Sequence, residues 1–429
     1  MKKYVLAIAI AAAGVAVGVE AQLTSDQVPR QRLVPRAEQI RQELEAARYR
    51  LGPFRIQPRL LFRDLGYNDN VYASSEGDPV SDWTATVAGG IHWTLPFGPK
   101  GYIRGDALPE YSWYKDLADR RFFGGTYNAS AVALFNRMQL EGTVGTSKRI
   151  GYVSSELEAP AILGTNDVGL DAEVDILPSR LSLFAAGQTR GLDYDAGDVA
   201  GSDELARIDE LDRDDSLVRA GLRYRLTSFF DVSVAGEQTR SEFDTDALRR
   251  DNESQAAIVG IHYDRPKFYV NLSAGQREGT ALNGSSFREY SATTGSYFAQ
   301  YEFSAPLTAE VYGHQRVTYG LFADTPYFFE DRNGLALTAR IGQRLALRAF
   351  GDVGQNDYDV AVSPGRGQPA VVRVDDVKTF GGTASFRVYR NMALAVTVSQ
   401  SDYTSNLAEY DRSIVRVQTG LVISGDSFR

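Results

Sequence analysis

The sequence predicts an all-β chain folded as a transmembrane, antiparallel, up-and-down barrel of about eighteen strands, with sixteen as the lower count. Three observations carry this prediction. A secretory leader opens the chain, short turns recur along the rest of it in alternation with longer polar loops, and the segments between them alternate apolar with polar residues. That last pattern is the period of a strand with two unlike faces.

The leader, MKKYVLAIAIAAAGVAVGVEAQ, sets Lys2 and Lys3 before an apolar run from Tyr4 to Val19 and ends on Val19-Glu20-Ala21. Residues 1–21 therefore read as a signal peptide. Residues 22–54 read as a periplasmic N-terminal segment, where Ile40, Leu44 and Ala47 form one stripe among charges. That spacing predicts a short polar helix over Ala37 to Arg48, a lead-in to the barrel or a partial plug.

The barrel is expected over residues 55–429. Its strands fall at 55–67, 82–95, 101–114, 122–135, 138–150, 163–177, 180–193, 215–226, 229–242, 253–264, 267–278, 288–303, 307–320, 328–341, 344–358, 373–389, 392–403 and 409–424. The short turns are LPFGPK (95–100), LFNRM (134–138), LPSR (177–180), LTSF (226–229), DRPK (264–267), SAPL (304–307), IGQRL (341–345) and YRNM (389–392). They recur roughly every 37 to 50 residues, the length of one strand out and one back. An even count with short turns in the periplasm puts both termini there, and the nine long loops, near residues 74, 118, 157, 204, 247, 283, 324, 366 and 406, outside.

Composition agrees. There is no Cys, which removes disulfides, thiol catalysis and Cys-based metal sites. The mean hydropathy is -0.28, low because only every second residue of a barrel strand meets lipid. The 40 Gly suit strand bends, and the 23 Tyr and 21 Phe suit interfacial belts. A soluble propeller would repeat at a similar period but with four shorter strands per repeat, not two. The net charge of -9 argues against a nucleic-acid partner.

Strand by strand, one face is apolar and the other polar. Leu307, Ala309, Val311 and Val317 oppose Thr308, Glu310, His314, Arg316 and Thr318, and Val415, Val417, Leu421 and Ile423 oppose Arg416, Gln418 and Gly420. An Arg at the lipid midplane costs about 2–4 kcal/mol, so the polar face belongs to a wet interior. The expected pore-lining residues are Arg219, Arg223, Arg225, Glu237, Arg277, Glu310, Arg316, Arg340, Arg348, Arg387 and Arg416. Their excess of arginine favours anions, unless carboxylates on neighbouring strands neutralise it.

Aromatic residues beside the turns, Trp93, Phe97, Phe135, Phe229, Phe230, Tyr263, Phe268, Tyr269, Phe303, Phe386 and Tyr389, read as an interfacial girdle. Phe428, one residue from the end, reads as a displaced version of the terminal aromatic residue recognised by the outer-membrane assembly machinery. The segment 192–215 is strongly acidic and reads as a solvated loop, since its spacing matches no defined calcium loop. His92, His262 and His314 stand in no catalytic or metal-binding spacing, and no phosphate loop or dinucleotide fingerprint is present. No enzymatic activity, cofactor or metal is expected.

The barrel entrance reads RLGPFRIQPRL at 50–60 and GYNDNVYAS at 66–74. Gly52, Pro53 and Phe54, with Tyr67 to Tyr72 at the end of the first strand, resemble the start of the β-barrel porins found with exopolysaccharide biosynthesis genes. The resemblance implies an integral protein of the Gram-negative outer membrane, in contact with lipid and lipopolysaccharide. It would act in polysaccharide export with periplasmic and inner-membrane synthesis proteins. The residues alone equally accommodate a passive porin for small anions, or a barrel that anchors surface loops without transport.

Overall fold

The computed structural model describes residues 36–72, 79–152, 154–156, 160–195, 205–245, 250–285, 287–304, 306–321, 325–362, 369–389 and 392–424. The leader, Phe428 and the middle of the acidic segment lie outside them. A helix, α1 (Arg36–Ala46), precedes a short strand, β1 (Tyr49–Leu51). The wall then runs β2 (Phe54–Asn68), β3 (Asp82–Phe97), β4 (Gly101–Tyr114), β5 (Phe122–Leu134), β6 (Met138–Tyr152), β7 (Pro160–Leu177), β8 (Leu181–Asp195), β9 (Arg213–Thr227) and β10 (Phe230–Phe243). It continues through β11 (Asn252–Asp264), β12 (Phe268–Ala281), β13 (Tyr290–Ser304), β14 (Leu307–Tyr319), β15 (Tyr327–Ile341), β16 (Leu345–Val362), β17 (Val371–Tyr389), β18 (Met392–Ser405) and β19 (Arg412–Ser424).

Each wall strand pairs antiparallel with its neighbours in chain order, and β19 returns to β2, closing a barrel of 18 strands. The seam runs from Arg416↔Asn68 to Ser424↔Arg59 with a bulge beside Thr419. β2 bulges against β3 at the same place, between Arg63 and Gly66. Asp64 supplies the left-handed residue the bulge needs (φ 52), and its side chain accepts a 3.3 Å hydrogen bond from the Gln418 amide across the seam. Gly66 is required there: a Cβ would stand 1.8 Å from the Val417 carbonyl oxygen.

The faces follow the predicted period. On β7, Val168, Leu170, Val174 and Ile176 are exposed on the outside, while Asp167, Asp171, Glu173 and Asp175 take the inner face. On β9, Val218, Leu222, Tyr224 and Leu226 point out, opposite Arg213, Arg219, Arg223 and Arg225. An outer surface of exposed Val, Leu and Phe is matched to lipid, and a closed ring leaves no unpaired strand edge inside it. No helix among the described residues is long and apolar enough to cross a membrane.

Three sequence expectations are corrected. β1 was not anticipated; it folds back on β2 (Tyr49↔Ile56) through Gly52, whose φ of 60 suits only a residue without a Cβ. Tyr269 is not in the girdle: it lies buried on the inner face against Phe298 and His262. The acidic segment is not wholly solvated, because Asp215 is buried and pairs with buried Arg213 at 3.2 Å. The strand count and the eight short turns match the expectation, and α1 falls within two residues of its predicted bounds.

Candidate pore and its two closures

All eleven expected lumenal residues lie on the inner face. The wall pairs more of them than the sequence could show. Arg223 meets Glu173 at 2.8 Å across the intervening strand, Arg225 meets Asp231 at 3.2 Å, and Arg348 meets Glu310 at 2.6 Å. Arg277 and Glu237, both buried, pair at 2.6 Å, and Arg316 holds Glu330 at 2.9 Å. Arg416 is buried in the wall. Among the described residues, no carboxylate stands within 4.0 Å of Arg219, Arg340 or Arg387. Arg219 and Arg223 flank the Phe184 ring, each guanidinium 5.3 Å from its centre, a cation–π arrangement on the inner wall. The sequence allowed for opposing acids on neighbouring strands without identifying them. Their signal was the same alternation, which puts Asp167, Asp171, Glu173 and Asp175 on the inner face of β7 two strands away from the β9 arginines.

At the short-turn end, α1 lies against the inner wall. Arg36 pairs with Glu141 of β6 at 2.5 Å. Glu43 pairs with Arg104 of β4 at 2.5 Å and His92 of β3 at 3.4 Å, and accepts a 3.4 Å hydrogen bond from the Thr94 hydroxyl. Ile40, on the stripe predicted from spacing, is 2% exposed. Burial raises the Glu43 carboxyl, but the contacts with His92 and Arg104 outweigh it, so its net shift is downward. The opposite flank of α1 carries exposed Arg41, Gln42 and Glu45. His92 also binds Asp106 at 2.9 Å, which Arg59 holds at 3.2 Å, so the helix is docked on a prebuilt polar network.

At the long-loop end, two segments fold over the mouth. The β6–β7 loop carries buried Ser154, Ser155 and Glu156 across to the far wall. The Ser155 hydroxyl donates to Glu330 at 3.0 Å; Glu156 accepts from Arg373 at 3.3 Å and from the Leu321 amide at 2.7 Å; Arg412 donates to the Glu156 carbonyl at 2.5 Å. The second segment is the β14–β15 hairpin. β13 stops pairing with β14 at Gly295↔Gln315, while β14 and β15 continue together to Tyr319↔Tyr327. The freed tip reaches back to β10 and β11, where Tyr319 stands edge-on to Phe243 at 5.0 Å and its hydroxyl bonds Asn252.

Around these segments Leu163, Tyr194, Leu211, Phe287, Tyr327 and Ile414, from widely separated positions on the ring, join one buried apolar cluster. Arginines are set into it by ring contacts. Arg373 lies 3.6 Å over Tyr410 and 4.5 Å over Tyr358 while pairing with Asp375 at 2.6 Å, and Arg213 lies 5.0 Å over Tyr319. Burial, which outweighs the attraction of Arg373, pushes the Glu156 carboxyl up. Asp212, before β9, is pushed up to about 6 by burial and by Asp193, Asp209 and Asp244, against the hydrogen bond it accepts from the Tyr194 amide.

Solved structures similar to this one include an outer-membrane protein of Pseudomonas aeruginosa, OpdK. Pseudomonas aeruginosa OpdK with vanillate aligns over 86% of this chain and 98% of its own, at 11% identity and a TM-score of 0.50. P. aeruginosa OccK2 (OpdF) in complex with glucuronate aligns over the same shares, also at 11% identity and a TM-score of 0.50. These likenesses establish a shared barrel fold. No family model matches the chain, and no curated protein matches it.

Proposed function

We propose that the protein is an integral outer-membrane channel for small anionic solutes, gated at its long-loop mouth. The observation that carries the reading is the inner wall: Arg219, Arg340 and Arg387 face the lumen with no carboxylate within 4.0 Å among the described residues, while the outer face of the same strands is apolar. Cations on a narrow low-dielectric wall focus an attractive field for anions. Vanillate and glucuronate, the molecules bound in the two similar structures, both carry a carboxylate. The residues that would meet such a solute are Arg219 and Arg223 beside Phe184, with Arg340 and Arg387 nearer the short turns.

Polysaccharide export, implied by the resemblance at the barrel entrance, gains no support from these two structures, which hold vanillate and glucuronate. The placement of α1 on the inner wall and of the long-loop segments across the mouth also favours a small solute over a polymer chain. Planar-bilayer recording under a salt gradient tests the proposal. The expected reversal potential is that of an anion-selective pore, and the triple change Arg219→Gln, Arg340→Gln, Arg387→Gln should lower the anion-to-cation permeability ratio roughly tenfold. A cation-selective pore would overturn the reading. A barrel silent even after the β6–β7 loop is removed would favour a surface anchor.

A further inference from the structure

The short-turn rim of the barrel is basic. In the described part of the turns, Lys100, Arg137, Arg180, Arg265, Lys267 and Arg344 stand against one carboxylate, Asp264. All six cations are exposed. Arg265 stacks on Phe229 at 3.7 Å, and Lys100 donates to the Asn136 side chain at 2.7 Å. Arg137, Arg180, Lys267 and Arg344 form no ion pair among the described residues.

Position narrows what these charges serve. Four of them follow, within three residues, an exposed apolar side chain at the end of a wall strand: Phe97 before Lys100, Phe135 before Arg137, Leu177 before Arg180, Ile341 before Arg344. Phe268, likewise exposed at a strand end, immediately follows Lys267. Aromatic and aliphatic groups at a strand end mark the edge of the hydrocarbon, so a cation one to three residues beyond it stands at headgroup depth. The charges are also spread around the ring, on the turns between β3 and β4, β5 and β6, β7 and β8, β11 and β12, and β15 and β16. A solute or polymer entering the lumen would meet cations gathered at the axis; a surrounding leaflet meets cations gathered at the perimeter.

We propose that this ring binds the phosphates of anionic phospholipids in the leaflet that the short turns contact. The assignment rests on the transmembrane fold and is independent of what passes through the lumen. It is tested with the refolded full chain in bilayers of phosphatidylcholine containing a minority of spin-labelled lipid. Electron paramagnetic resonance then compares the motionally restricted fraction for phosphatidylglycerol and phosphatidylcholine. The expected result is roughly fivefold enrichment of phosphatidylglycerol next to the protein, falling toward unity at about 1 M salt and in the variant R137Q/R180Q/K267Q/R344Q. The charge-keeping variant R137K/R180K/R344K should retain the enrichment. Equal restriction of the two lipids by the wild type, or enrichment untouched by salt and by the Gln variant, would overturn the proposal. So would a second result: ring-dependent binding of soluble polygalacturonate in pure phosphatidylcholine discs would reassign the ring to an acidic polymer.

Discussion

The segments held at the two ends of the lumen are fixed by different chemistry. At the long-loop end, Glu156, Arg373 and Asp375 are almost fully buried and sit beside the rings of Tyr358 and Tyr410 in an apolar surround. At the short-turn end, Glu43 and Arg104 each keep about a fifth of their side-chain surface exposed, and α1 presents one side to the lumen. A buried pair that loses one member leaves an uncompensated charge, at a cost of about 3–5 kcal/mol, whereas a half-wet pair contributes about 1 kcal/mol or less. The buried contacts at the long-loop end are therefore expected to break together, whereas the more exposed contacts of α1 are expected to release more readily.

Arg373→Ala should break this comparison most severely. It strands Glu156 and Asp375 together, so the β6–β7 loop should release, with open probability rising by an order of magnitude or more and the loop becoming cleavable by added protease. Retained heat-modifiable mobility on gels checks that the wall persists. If the loop stays in place, its stability comes from the apolar cluster alone. Removing residues 36–46 should act more modestly, raising single-channel conductance about twofold with little change in barrel melting. Glu43→Gln should reproduce part of that increase, costing about 1 kcal/mol of helix docking, read as faster hydrogen exchange over α1.

The smallest expected effect is on pH. Asp212 is raised from 3.8 to about 6 where it lies, before β9, so the folded arrangement of the segment between β8 and β9 favours the protonated carboxyl. Its stabilisation is complete below 3.8 and is lost as pH rises through about 6. Glu156, raised from 4.5 by burial, has the same sign. Acidification from neutral should therefore stabilise the segment between β8 and β9, read as slower hydrogen exchange there, and Asp212→Asn should remove the part of that change centred near pH 6. Faster exchange of that segment on acidification would contradict the raised carboxyl of Asp212.

Strand number, the eight turns and the faces of the strands read residue by residue were legible in the sequence, because period two and turn chemistry are local. Tyr269 shows the limit of that locality: beside a turn, an aromatic residue reads as girdle, and only strand parity places it against Phe298 inside. The neutralisation of the wall was not legible. Arg223 finds Glu173 through the register of three strands, and Glu156 finds Arg373 across 217 positions of chain. Nor did β14 announce that its last residues leave β13 and fold over the mouth; Tyr319 and Val317 continue the alternation as ordinary wall residues would.

The seam between β2 and β19 bears on how the molecule is made. The first and last wall strands are partners, so the ring has no closed precursor: until Ser424 has been synthesised and delivered, every partly built wall carries two bare strand edges. Pairing β19 with β2 joins the longest chain loop in the wall, the contact with the largest loop-closure cost. The bulge at Asp64 and the Gly66 carbonyl contact sit at that final junction. A defect there would stall production of the closed barrel while leaving the preceding hairpins able to form, a fault of assembly and not of the finished wall.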